Sequence, residues 1–123
     1  MSRVLVIDDE SIVGVVLRLA LDAKGHETVV AEGGKTGIEM ARADRPDAIV
    51  LDLMMPGVNG FDVLGALQQS AELDEVPVLV LTALTVSGAR ERCLSEGADV
   101  VITKPFDPRD VADAVDSLLS LST

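Results

Sequence analysis

Residues 4–10 read Val-Leu-Val-Ile-Asp-Asp-Glu, four aliphatic side chains in an unbroken run followed by three acids. A strand with one wet face alternates apolar and polar positions, whereas an unbroken run rich in Val and Ile suits a strand covered on both faces. Four further aliphatic runs stand at residues 28–31, 48–51, 78–81 and 100–102. Strands of this kind belong to a parallel sheet with helices above and below it, and the segments between the runs are long enough to supply those helices.

The first and last of these segments carry the clearest helical spacing. Ile12, Val13, Val16, Leu17, Ala20 and Leu21 recur at three- and four-residue intervals, and Gly25 stands where that helix should stop. Asp107 followed by Pro108 reads as an N-cap and first helical residue, ahead of a stripe of Val111, Val115, Leu118 and Leu119. Gly37 and Gly65 weaken the second and third helices. The fourth begins among Thr85, Val86, Ser87 and Gly88, poor helix formers that mark it as the element expected to move. The order βαβαβαβαβα describes one α/β sandwich over residues 1–123, with no linker or repeat to divide it.

Composition narrows the function. The 123 residues are 48% apolar, enough for one packed core, and the mean hydropathy is +0.37. Acids outnumber Lys and Arg by 21 to 10, a net charge of −11, and residues 46–89 hold no Lys or Arg. Such a field repels nucleic-acid phosphates and anionic lipid, so direct nucleic-acid binding and membrane association are not expected. Two Phe, with no Trp or Tyr, leave no platform for base stacking. Cys93, the only cysteine, reads as a buried thiol, and no apolar run approaches membrane-spanning length, which together suggest a cytoplasmic protein.

Ligands of an open parallel sheet gather beyond the carboxyl ends of its strands. The residues there are Asp8, Asp9 and Glu10 after the first run, Asp52 after the third, Thr82 and Ala83 after the fourth, and Thr103, Lys104 and Pro105 after the fifth. Should the first and third strands be neighbours, carboxylates crowd together, and a pair at about 4 Å repels by about 4 kcal/mol at an effective dielectric of 20. An oxygen-only donor set without Cys or His suits a hard ion such as Mg²⁺, with Lys104 as a further positive charge. Metal and lysine facing a carboxylate suit phosphoryl transfer, with Asp52 as the nucleophile.

Four motifs in order, Val6-Ile7-Asp8-Asp9, Leu51-Asp52-Leu53-Met54-Met55-Pro56-Gly57, Leu81-Thr82-Ala83 and Lys104-Pro105-Phe106, give the chain a resemblance over its whole length to the receiver (CheY-like) domain of two-component response regulators. The resemblance implies a doubly wound, flavodoxin-like (βα)5 three-layer sandwich of strand order 2-1-3-4-5. It implies that Asp52 accepts a phosphoryl group from a sensor histidine kinase, a histidine phosphotransfer protein or a small donor such as acetyl phosphate. Mg²⁺ would be held by Asp9, Asp52 and the carbonyl of Met54, with Asp8 acting through water. Lys104 and Thr82 would bind phosphoryl oxygens, aided by the N–H groups of Leu53 and Ala83, and the Lys104-Pro105 bond would be cis. The chain would then be a signalling phosphoacceptor that catalyses its own phosphorylation and dephosphorylation, not a turnover enzyme.

Two positions depart from the family pattern. Val101 stands three residues before the lysine, where an aromatic usually swings inward with the threonine, so activation is expected to be read through the fourth helix or its preceding loop. Met54 and Leu84, two residues beyond Asp52 and Thr82, are apolar and predict slow self-dephosphorylation. Among the remaining residues, His26 reads as a surface side chain, and Phe61 and Phe106 as packing under the third and fifth helices. Asp110, Asp113 and Asp116 read as a solvated helix face or a contact for a basic partner. A flavin carrier would need a Ser/Thr/Gly-rich loop where Asp8-Asp9-Glu10 stands, and an aspartyl-phosphate hydrolase an acid where Met54 stands. A degenerate receiver would lack part of the set formed by Asp8, Asp9, Asp52, Thr82 and Lys104. Output would pass to a downstream protein partner, to an output domain missing from this chain, or to a phosphorylation-dependent homodimer.

Overall fold

Five parallel strands form one sheet: β1 (Arg3–Ile7), β2 (Glu27–Ala31), β3 (Ala48–Asp52), β4 (Val78–Thr82) and β5 (Val100–Thr103), in the order β2-β1-β3-β4-β5. They are seen in a computed structural model that describes residues 2–55, 57–83 and 87–121. Register brings Ile7 beside Ala31 and Leu51, Asp52 beside Leu81, and Thr82 beside Thr103. The ends of the three central strands therefore lie level. A short antiparallel ladder, Met54–Met55 with Val58–Asn59, follows β3.

The unbroken apolar runs are explained by helices on both faces of the sheet. Val4, Val6, Val50, Leu79 and Leu81 point to one side, where they meet Leu17 and Leu21 of α1 (Ser11–Ala23) and Val111, Val115 and Leu118 of α5 (Pro108–Leu121). Leu5, Ile7, Ile49, Leu51, Val78 and Val80 point to the other. There they pack on Ala41 of α2 (Gly34–Ala43), Val63, Leu64 and Leu67 of α3 (Gly60–Gln69) and Cys93 of α4 (Ala89–Ser95). Each fully buried Leu or Ile contributes about 2 kcal/mol through the water it sheds. Cys93 is a buried free thiol, as its sequence context suggests.

The ends of α1 and α5 follow their signals. α1 stops at Ala23, and the N–H groups of Gly25 and His26 close the turn on Asp22 O and Leu21 O. Arg109 N–H donates to Asp107 Oδ1 at 2.9 Å, so Asp107 caps α5. The apolar stripe of α1 is wider than the face the sheet can cover. Leu17 and Leu21 are buried, whereas Ile12, Val15 and Leu19 stay largely exposed on its flank.

Several local readings change once the helices are packed. Gly37 and Gly65 lie inside α2 and α3, which run through them. At Gly37 the missing side chain is required, because a Cβ there would come within 2.6 Å of Ile7 Cδ1 and 2.7 Å of its Cγ1. Asn59 and Gly60 open α3, with Asn59 Oδ1 accepting from Phe61 N–H at 2.9 Å. The fourth helix begins at Ala89 after a turn at Ser87-Gly88, while Thr85 and Val86 lie outside the described residues.

His26 is not a surface residue. Its ring is 10% exposed, and Nε2 is bonded to Asp116 Oδ1. Lys24 Nζ lies 2.7 Å from Asp113 Oδ1 and 3.7 Å from Asp116 Oδ2. Asp113 and Asp116 of α5 thus meet basic partners within the chain, on the α1–β2 turn, while Asp110 stays on the exposed face. Phe106 packs into the α1/α5 core, and Phe61 against the opposite one with Arg92 stacked 3.7 Å above its ring.

Candidate functional site

The level ends of β1, β3 and β4 deliver Asp8, Asp52 and Thr82 to one edge, and each is at least 99% buried. Asp8 follows β1 and continues the sheet through its N–H to Ala31 O at 3.0 Å. Its Oδ1 accepts from Glu10 N–H at 2.9 Å, and its Oδ2 has no hydrogen-bond partner. Burial pushes the Asp8 carboxyl up to about 6 from the ordinary 3.8; the Glu10 N–H and Lys104 pull it down, and the charges of Asp52 and Glu10 push it further up.

Asp52 is the last residue of β3, part of the ladder and not of the following loop. Its Oδ1 accepts from Met54 N–H at 3.1 Å. Its Oδ2 lies 3.4 Å from Lys104 Nζ and takes no hydrogen bond. Lys104 follows β5, where its N–H donates to Thr82 O at 2.8 Å and the Lys104-Pro105 peptide is cis. Burial opposes the charge of the Lys104 ammonium, but the carboxylates of Asp52, Asp8 and Glu10 outweigh it and hold the group above its ordinary range. A second contact runs from Lys104 Nζ to Glu10 Oε1 at 3.5 Å.

Oxygens of Asp8, Glu10 and Asp52 all lie within 4.8 Å of one another. One lysine facing three carboxylates leaves an excess of negative charge in a largely dry site, which a hard cation would relieve. The donor set consists of oxygens, two of them buried and unpartnered, and this fits a Mg²⁺-like ion.

Asp9 is exposed and is not among the three clustered carboxylates; Glu10 takes that place. The sequence shows Glu10 as the third acid of the run, and only the turn that ties its N–H to Asp8 reveals that its side chain reaches Lys104. The Leu53 N–H, expected to meet a phosphoryl oxygen, donates instead to Leu81 O at 2.9 Å. Met54 is 52% exposed at the rim, Ala83 is exposed beside Thr82, and Leu84 lies outside the described residues. Val101 is buried at the position of the usual switch aromatic, and its carbonyl accepts from Arg90 Nη1 of α4 at 3.3 Å.

Known proteins share this arrangement of strands. Among curated sequences, Protein PilH of Pseudomonas aeruginosa is 31% identical over 120 residues, covering 98% of this chain and 99% of PilH. The alkaline phosphatase synthesis transcriptional regulatory protein PhoP of Bacillus subtilis is 35% identical over 121 residues, 98% of this chain but 50% of PhoP, so the chain spans half of that relative's length. The structure of the Francisella response regulator 1452 receiver domain superposes with a TM-score of 0.93 at 28% identity, covering both chains completely. The family profile described as the response regulator receiver domain matches residues 4–116, a span that starts within β1 and ends in α5, and by that match the chain belongs to the receiver domain family of two-component signalling.

Proposed function

We propose that Asp52 is the phosphoacceptor of this receiver, with Lys104 and Thr82 as the groups that meet the incoming phosphoryl oxygens. The observation that carries this reading is a fully buried carboxylate whose Oδ2 has no hydrogen bond, beside a lysine ammonium at the carboxyl edge of the sheet. Asp8 shares the pattern of one oxygen held by a main-chain N–H and one without a hydrogen bond, but among the described residues it is the free oxygen of Asp52 that lies within 4 Å of a cation. The test is intact-mass measurement after incubation with Mg²⁺ and acetyl phosphate.

Receiver domains generally use Mg²⁺, and the residues here fit it. Asp8 and Asp52 would hold the ion, with Glu10 at the mouth and Asp9 and the Met54 carbonyl as the further positions that the family resemblance assigns. When bound, the ion supplies charge neutralisation for the carboxylates and the phosphoryl oxygens. The chain's own residues keep water out, fix one oxygen of Asp52, and leave the other directed at the donor.

Cation binding should depend on pH through Asp8. A proton on that carboxyl competes with the ion, so calorimetric Mg²⁺ affinity should fall as pH drops from 7.5 toward 5.5, by up to about tenfold per unit below the Asp8 value. Equal affinity at both values would count against Asp8 as a ligand. Without metal the sign for stability is reversed. The folded state binds the Asp8 proton more tightly than the unfolded state, so the stability it contributes is present below 3.8 and lost as pH rises through about 6.

The donor is a phosphohistidine on a sensor kinase or phosphotransfer protein, as expected for a receiver. Its docking site is the exposed flank of α1, where Ile12, Val15 and Leu19 recur at three- and four-residue spacing and lead up to Glu10 at the mouth of the site. Leu19→Glu should slow transfer from a histidine phosphodonor protein about tenfold more than it slows uptake from acetyl phosphate. Equal slowing from both donors would place docking elsewhere.

A further inference from the structure

The strand that carries Asp52 does not run out into an open loop. The chain turns back on itself, Met54 pairing with Asn59 and Met55 with Val58, so that residues 56 and 57 form the bend. Gly57 holds φ at +72°, in the left-handed region that an L side chain enters only at a cost. The space around it is open, and a Cβ there would meet nothing within 4 Å. The glycine is therefore required by its torsion and not by its neighbours.

The register of this ladder decides which main-chain group faces the acceptor. In an antiparallel pair every second residue turns its N–H away from the partner strand. Met54 is such a residue, and its N–H donates to Asp52 Oδ1 at 3.1 Å. Met54 is half exposed, whereas Met55 is buried. A slip of one residue would exchange the two, burying Met54, exposing Met55 and giving the Met54 N–H to the ladder. Two pairs of residues make a marginal ladder on their own, so the bend has a large share in holding the register.

We infer that Gly57 is a positioning residue for phosphoryl acceptance: its left-handed backbone fixes the register in which Met54 N–H holds Oδ1 of Asp52 and so presents Oδ2 to the donor. The inference rests on the reading of Asp52 as phosphoacceptor. A carboxylate with one oxygen tethered does not turn freely about its Cβ–Cγ bond, and its other oxygen stays where Lys104 Nζ lies 3.4 Å away. In-line attack depends on that fixed aim. The Oδ2 lone pair then forms the O–P bond as the bond from phosphorus to the donor's imidazole nitrogen or acyl oxygen breaks, its electron pair leaving with that atom. A Met54 N–H lost to the ladder frees the carboxylate to turn, and fewer encounters find it aligned.

The experiment compares wild type, Gly57→Ala and Gly57→Asn by hydrogen exchange of the Met54 amide in the metal-free protein and by the rate of uptake from acetyl phosphate at saturating Mg²⁺. Gly57→Ala should weaken protection of the Met54 amide and slow uptake about fivefold or more, the factor that left-handed strain at one residue puts on the aligned register. Asparagine has a larger side chain but tolerates positive φ, so Gly57→Asn should restore most of both. A Gly57→Ala protein that keeps either readout at its wild-type value, even while less stable to denaturant, overturns the inference and leaves Asp52 in its role. So does a Gly57→Asn protein as slow as Gly57→Ala. Absence of a phosphoryl adduct on wild type overturns the Asp52 reading, and this inference with it.

Discussion

Incubated with Mg²⁺ and acetyl phosphate, the wild-type chain should gain one phosphoryl group and Asp52→Asn none. The amide has nearly the same shape, and its oxygen can still accept from Met54 N–H, so the fold around it should persist. What is lost is the ionised oxygen 3.4 Å from Lys104, and a neutral amide is too weak a nucleophile to replace it. Stability separates this from damage to the fold. Removing one of the clustered negative charges relieves Asp8 of a repulsion that helps raise its carboxyl, so the metal-free variant should melt no lower than wild type. An adduct of equal yield on Asp52→Asn would move the acceptor elsewhere, Asp8 being the nearest buried carboxylate.

The same cluster shows what a sequence can and cannot convey about a site. Unbroken aliphatic runs place five strands to within a residue or two of their ends, because a strand covered on both faces has no freedom to admit a polar side chain. The carboxyl ends of those runs then name Asp8, Asp52, Thr82 and Lys104, and the structure brings all four to one edge. Glu10 escaped assignment because side-chain direction in a loop follows backbone torsions that no periodicity encodes. The Leu53 N–H was misassigned for a related reason: β3 runs one residue farther than the aliphatic run, so the ladder claims that donor.

Charge and polarity were misread wherever a partner lay far away in sequence. His26 and Asp116 are 90 residues apart, and neither shows in its own neighbourhood that the other will cover it. Asp113 does stay exposed on its helix, as a solvated face should, and what its sequence neighbourhood hides is Lys24 alongside it. Glycines were ambiguous for the opposite reason. Weak helix propensity says nothing of what a side chain would strike, and that is decided by the neighbouring element.

Two glycines of α3 should therefore respond to alanine in opposite directions. A Cβ on Gly65 meets nothing within 4 Å, so Gly65→Ala should gain about 0.5–1 kcal/mol from helix propensity. A Cβ on Gly60 would stand 2.6 Å from Leu53 Cα and 2.7 Å from its carbonyl carbon, and closer still to the carbonyl oxygen. These are backbone atoms and cannot rotate away. Leu53 cannot yield either without cost, since its N–H is bonded to Leu81 O and the next N–H holds Asp52 Oδ1. Nor can the start of α3 retreat freely, because Asn59 both caps the helix and pairs with Met54. Gly60→Ala should lose about 3 kcal/mol or more in denaturant unfolding. Whatever fraction folds should accept phosphate more slowly than wild type, because the displaced strand end is the one that aims Asp52. Were Gly60→Ala as stable and as fast as wild type, α3 would be free to slide on the β3 loop, and the packing of this helix start would have no part in fixing the acceptor.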